Sequence, residues 1–157
     1  MKPYADTNFF TRVYLELPES SQADRLLAEA KERETPPLPV TWLHRLEMIN
    51  AFQLSVYLGR LAGQTRVTLE QAAAALAEFR GDCQPGQLFR VAPLALDRLE
   101  RQFEELALRH TAKQGFRTYD LLHVASALVL ECDCFWSFDA KAAKLASLEG
   151  LRPWPSV

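Results

Sequence analysis

Four acidic residues stand where chemistry could use them: Asp6, Glu47, Asp120 and Asp139. Asp6 follows the short apolar run Pro3 to Ala5, Asp139 follows Cys134 to Phe138, and each precedes a helical stretch. Taken singly, each is accounted for as a helix N-cap, whose carboxylate accepts a hydrogen bond from a first-turn N–H. Asp120 sits in the first turn of a helix opened by Thr118, where the helix dipole favours a negative charge. Glu47 has no such position. At 100° per residue it lies within about 60° of Leu43, Asn50, Ala51, Leu54, Leu58 and Leu61, on the apolar stripe of its own helix. Burial of an unpaired carboxylate is costly, so a salt bridge, a solvent gap or a cation must compensate it.

Chain geometry brings three of these acids to one level. From Asp120 a helix of about 12 residues rises roughly 18 Å. A reversal near Cys132 and Asp133 then feeds roughly five strand residues that return about 16 Å, delivering Asp139 beside Asp120. Asp6 ends the first strand, and in open parallel sheets the carboxyl ends of the strands line the ligand crevice. Glu47 joins them if the apolar face of its helix packs on the sheet. Like charges raise one another's pKa, so a cleft of four carboxylates calls for a counter-cation. Hard divalent cations, Mg2+ or Mn2+, take carboxylate and water oxygens without a His or Cys cage. Such a site activates water and stabilises charge on a phosphodiester, which points to phosphodiester hydrolysis.

The elements that must position these acids read as α/β. A strand is expected over 2–5 and helices over 7–16 and 20–33. An extended segment at 38–40 leads into a long helix at 42–62 and an Ala-rich helix at 68–80. The latter is opened by a capping box of Thr68 and Gln71. A short strand near 88–91, helices at 94–113 and 119–131, a strand at 134–138, a helix at 140–148 and an extended piece at 152–154 complete the chain. Strands alternating with helices imply a small, mainly parallel central sheet covered on both faces. The long helix and its Ala-rich successor are expected to form an antiparallel hairpin.

At 157 residues and 48% hydrophobic, the chain has material for one domain with a substantial core. A net charge of −2 argues against non-specific binding to nucleic-acid backbones through bulk charge, while leaving room for a nuclease with an acidic cleft. The N-terminal residues lack the apolar region of a secretory signal, and the uncharged run from Leu121 to Leu130 is too short to span a bilayer. Three cysteines, an odd number, point to reduced thiols and a cytoplasmic setting. Cys132 and Cys134 lack the second pair that a structural zinc site needs.

Four motifs around the acids carry a resemblance. Tyr4-Ala5-Asp6-Thr7-Asn8, Leu46-Glu47-Met48-Ile49-Asn50-Ala51, Thr118-Tyr119-Asp120-Leu121-Leu122-His123-Val124-Ala125-Ser126-Ala127 and Trp136-Ser137-Phe138-Asp139 occur in that order. In this the sequence resembles PIN-domain proteins, most closely the VapC-type ribonuclease toxins of bacterial and archaeal toxin–antitoxin pairs. The Gly150-Leu151-Arg152 turn into a last strand fits the same pattern. The resemblance spans essentially the whole chain, with the middle helical region least diagnostic. It implies a single PIN-like domain over 1–157, a three-layer α/β/α fold, and Asp6, Glu47, Asp120 and Asp139 as catalytic metal ligands. Thr7, Asn8 and Ser137 would be supporting polar groups. It further implies an endoribonuclease dependent on Mg2+ or Mn2+, an RNA substrate, a homodimer, and silencing by a cognate antitoxin protein that binds DNA.

Other readings compete with this one. His44 precedes Glu47 by three residues and His123 follows Asp120 by three, a spacing akin to di-iron carboxylate bundles. That architecture needs four core helices and no strands, so His123 is expected to be a hydrogen-bonded helix residue. Phe9, Phe10 and Tyr14 could stack bases, but core packing or a dimer face is the simpler use of them. Arg12, Lys113, Arg117, Lys141 and Lys144 could contact phosphates, Lys141 foremost because it lies just beyond Asp139. A non-catalytic PIN-fold binding module, its acids serving only helix starts, is the alternative from another functional class. An aspartyl-phosphate enzyme lacks its Asp-x-Asp, and a GTPase its Gly-rich loop.

Overall fold

The computed structural model describes residues 1–61 and 66–154. The chain divides into two compact units, Met1–Asp6 with Pro93–Val157, and Thr7–Ala92.

The first unit is built on a three-stranded sheet of β1 (Pro3–Ala5), β4 (Cys134–Trp136) and β5 (Arg152–Trp154), in the order β1-β4-β5. All pairs are parallel, and Tyr4, Phe135 and Pro153 lie side by side. Parallel neighbours need crossover connections, which the helices supply. Helix α7 (Thr118–Val129) leads into β4, and α8 (Ala140–Leu148) joins β4 to β5. Strand β4 stops two residues before the expected end at Phe138. Ser137 still donates its N–H to the Trp154 carbonyl at 3.0 Å, and the chain then turns to start α8. The core gathers Tyr4, Phe135, Leu121, Val124, Ala125 and Leu145 with α5 residues Leu99 and Leu106. The Tyr4 and Phe135 rings stack at 5.8 Å. Gly150 turns the chain from α8 into β5 with φ +80°, a left-handed conformation that favours glycine.

The helix expected at 94–113 is interrupted. It comprises α5 (Leu96–Leu106), one π-helical turn (Ala107–Thr111) and α6 (Ala112–Gln114), closed by Gly115 at φ +66°. The wider turn lets Arg109 and His110 both reach Glu149, at 2.9 and 2.6 Å. Such a one-residue insertion leaves no mark in hydrophobic periodicity.

The second unit contains α1 (Thr7–Tyr14), α2 (Ser20–Glu32), β2 (Pro39–Val40), α3 (Trp42–Leu58), α4 (Leu69–Asp82) and β3 (Arg90–Val91). Strands β2 and β3 pair in parallel with each other as a separate two-stranded sheet. Thr68 caps α4 as expected: its hydroxyl accepts from Gln71 N–H at 3.2 Å, and the Gln71 side chain accepts from Thr68 N–H at 2.8 Å. Helix α3 ends at Leu58, and the expected limit at Ala62 lies outside the described residues. Its buried stripe runs through His44, Met48, Phe52 and Val56, with Leu43 beside it, whereas Leu54, Leu58 and Leu61 are exposed. The periodicity had grouped the exposed leucines with Glu47. Apolar side chains surround this helix, so spacing alone does not single out the packed face. Phe9 and Phe10 are fully buried, which makes them core residues. Among the described residues, no helix is long and apolar enough to cross a membrane.

Candidate functional site

Three of the four acids meet in the first unit through one run of hydrogen bonds. Asp6 extends β1 by donating its N–H to the Trp136 carbonyl at 3.1 Å, which points its buried side chain off the strand end. Its Oδ2 accepts from the Ser137 hydroxyl at 2.6 Å. The same hydroxyl accepts from the Asp139 N–H at 2.9 Å. Asp139 then divides its oxygens. Oδ1 caps α8 by accepting from the N–H groups of Lys141 and Ala142, at 2.8 and 3.3 Å, and Oδ2 accepts from Arg117 Nη2 at 2.6 Å. N-capping and site geometry are therefore both satisfied by one carboxylate.

Arg117 completes the run at Asp120. Its Nε and Nη2 donate to Asp120 Oδ2 and Oδ1 at 3.1 and 2.9 Å, a two-pronged contact, and its backbone N–H adds 3.0 Å to Oδ2. Asp120 is buried, while 61% of the Arg117 side chain remains exposed. Hydrogen bonds from Arg117 to Asp120 and then Asp139 raise the guanidinium pKa further, so it stays charged at every accessible pH. Burial pushes the Asp139 carboxyl up. The Arg117 hydrogen bond, the two capping N–H groups and the Arg117 charge outweigh that effect, and its pKa lies below the ordinary carboxylate value.

The remaining candidates belong to the second unit. Glu47 is half-buried on α3 and accepts from the Thr7 hydroxyl at 2.7 Å. Thr7 follows Asp6 directly in the chain. Asn8 carries a buried Oδ1 that meets no hydrogen-bond donor among the described residues. His44 is buried and uses Nδ1 to accept from the Thr41 N–H at 3.1 Å, which fixes the start of α3. In the first unit, His123 meets the Tyr4 hydroxyl through Nδ1 at 2.9 Å in the core, the structural use expected of it.

The donors of the first unit are chemically suited to a hard cation: three carboxylates and a hydroxyl. Among the described residues, however, no three His, Cys, Asp or Glu side chains are drawn together as metal ligands. The cation seated on Asp120 and Asp139 is the guanidinium of Arg117. The sequence reading missed this residue, having weighed it only as a phosphate contact. Its signal was the three-residue spacing to Asp120 across a helix start.

No protein-family model matches the sequence. No curated protein is matched by it either. Structural comparison finds VapC20 of Mycobacterium tuberculosis, described as a sarcin-ricin loop cleaving toxin, with a TM-score of 0.63, 20% identity and 96% of each chain covered. The chain shares the fold of this protein. The helices and small parallel sheet expected from the sequence match this fold, and Asp6, Asp120 and Asp139 lie at strand ends and helix starts.

Proposed function

We propose that the protein is a metal-dependent endoribonuclease, the toxin of a toxin–antitoxin pair, which hydrolyses RNA phosphodiester bonds at the acidic site. The observation that carries this reading is the hydrogen-bonded run Asp6–Ser137–Asp139–Arg117–Asp120, which collects three carboxylates from three separate segments of chain. Helix capping alone accounts for one oxygen of Asp139 and does not account for the Ser137 hydroxyl that ties Asp139 to the buried Asp6. Glu47 enters the proposal through the chain itself, since it binds Thr7, the residue bonded to Asp6. The fold shared with VapC20, an RNA-cleaving toxin by its description, supports the substrate class and the toxin role.

Asp6, Glu47, Asp120 and Asp139 would hold Mg2+ or Mn2+. When bound, such an ion supplies a Lewis acid and a water of lowered pKa. The residues around it have separate tasks. Ser137 orients the Asp6 carboxylate and ties it to the start of α8. The α8 N-terminus holds Asp139 ionised. Thr7 fixes the rotamer of Glu47, and Asn8 presents an amide oxygen. A homodimer and a cognate antitoxin belong to the same reading, through the kinship with VapC-type toxins.

A non-catalytic binding module is the second reading, favoured by the structural duties that Arg117 and the α8 cap give to Asp120 and Asp139. Cleavage of folded ribosomal and transfer RNA by wild type and Asp120→Asn, with Mn2+, Mg2+ or EDTA, separates the two. Discrete metal-dependent cuts, reduced at least about a hundredfold in the variant, are expected; that loss corresponds to about 2.7 kcal/mol. Equal cleavage by both proteins would identify a contaminant. Absence of both cleavage and Mn2+ binding would establish the binding module.

A further inference from the structure

We propose that Arg117 is a tethered counter-cation that occupies the acidic site in the metal-free protein and competes with the divalent ion for Asp120 and Asp139. The inference rests on the metal-site reading above and deepens it. One guanidinium donates to both oxygens of Asp120 and to Oδ2 of Asp139, at 3.1, 2.9 and 2.6 Å. Those are oxygens that a hard cation would take. Lys141, the neighbouring cation that sequence favoured, uses its ammonium on the Gly115 carbonyl at 3.1 Å.

Electrostatics requires some cation here. Asp6, Asp120 and Asp139 are linked through Ser137 and Arg117, and Asp6 and Asp120 are both buried. Carboxylates linked this closely, with no cation between them, repel one another. Arg117 removes that conflict without a metal. Its planar fork spans the two acids instead of drawing them to a single point, which agrees with the lack of a gathered set of three ligands among the described residues. A metal ion needs these oxygens to converge on it, so the fork must leave. The exposed Arg117 side chain has solvent on its outer face, and the route is open. Competition for the oxygens and repulsion between guanidinium and metal act in the same direction. Arg117 therefore lowers metal affinity while stabilising the metal-free fold.

The test is Mn2+ binding by the metal-free full chain, followed by calorimetry or by the electron-spin signal of free Mn2+, with no RNA present. Arg117→Ala is expected to tighten Mn2+ binding by about tenfold or more, the scale of one charge-assisted hydrogen bond. Arg117→Lys keeps the charge but loses the fork, and is expected to fall between Ala and wild type. In EDTA the Ala variant should melt below wild type, and Mn2+ should raise its Tm by more than it raises that of wild type. Circular dichroism establishes that each variant is folded. If Arg117→Ala binds Mn2+ no more tightly than wild type while Asp120→Asn abolishes binding, the competition is refuted and the metal site stands. If Arg117→Ala tightens binding but wild type cuts no RNA under any condition, the competition stands and the nuclease reading fails. If neither wild type nor Arg117→Ala binds Mn2+, both fall.

Discussion

Ser137→Ala is the most informative single change outside the acids. The Ser137 side chain is 2% exposed, and its hydroxyl donates to Asp6 Oδ2 at 2.6 Å while accepting from the Asp139 N–H at 2.9 Å. A hydrogen bond to a charged group contributes about 1.5–3 kcal/mol and a neutral one about 1 kcal/mol. Removal of the hydroxyl is thus expected to cost about 2.5–4 kcal/mol. That is a large fraction of the ~5–15 kcal/mol that holds a typical domain folded. With an m-value of about 2 kcal/mol/M, the urea midpoint should fall by roughly 1.5 M. Circular dichroism and the fluorescence of Trp136, which adjoins Ser137 on β4, should report the same transition. The same substitution made on Asp6→Asn should cost only about 2 kcal/mol, about 1 for each of two neutral hydrogen bonds, because the carboxylate that strengthened one of them is gone. A cost below about 1 kcal/mol in the native background, or an equal cost in both, would refute the assignment of Ser137 as the group that stabilises the Asp6 charge.

Two further outcomes follow from neighbouring features. The folded-state pKa of Asp139 is depressed, so its ionisation contributes stability that is fully present above the unfolded carboxyl value of about 3.9 and is lost as pH falls through the folded value. Asparagine caps helices nearly as well as aspartate, so Asp139→Asn isolates the charge. Its stability deficit, measured by urea unfolding, should be constant from about pH 7 to 5 and shrink below about pH 4. At the start of α4, Thr68→Ala should cost about 1 kcal/mol by removing the hydroxyl that receives the Gln71 N–H, measured by thermal melting.

What could be read without coordinates was local or simply geometric. Alternation of strand and helix, the Thr68 and Gln71 box, and the helix at 140–148 follow from propensity and capping over a few residues. The meeting of Asp120 with Asp139 follows from two rise-per-residue distances, because a helix and the strand after it run as rigid rods. The separate β2–β3 sheet, the π turn at Ala107–Thr111 and the packed face of α3 were decided by tertiary structure. Each depends on which surfaces meet, and side chains that are apolar all round, or a single inserted residue, leave several arrangements open. Arg117 belongs to the same class. Its charge and spacing are visible in the sequence, but a long flexible side chain has many rotamers, and only the joint position of Asp120 and Asp139 selects the one that bridges them.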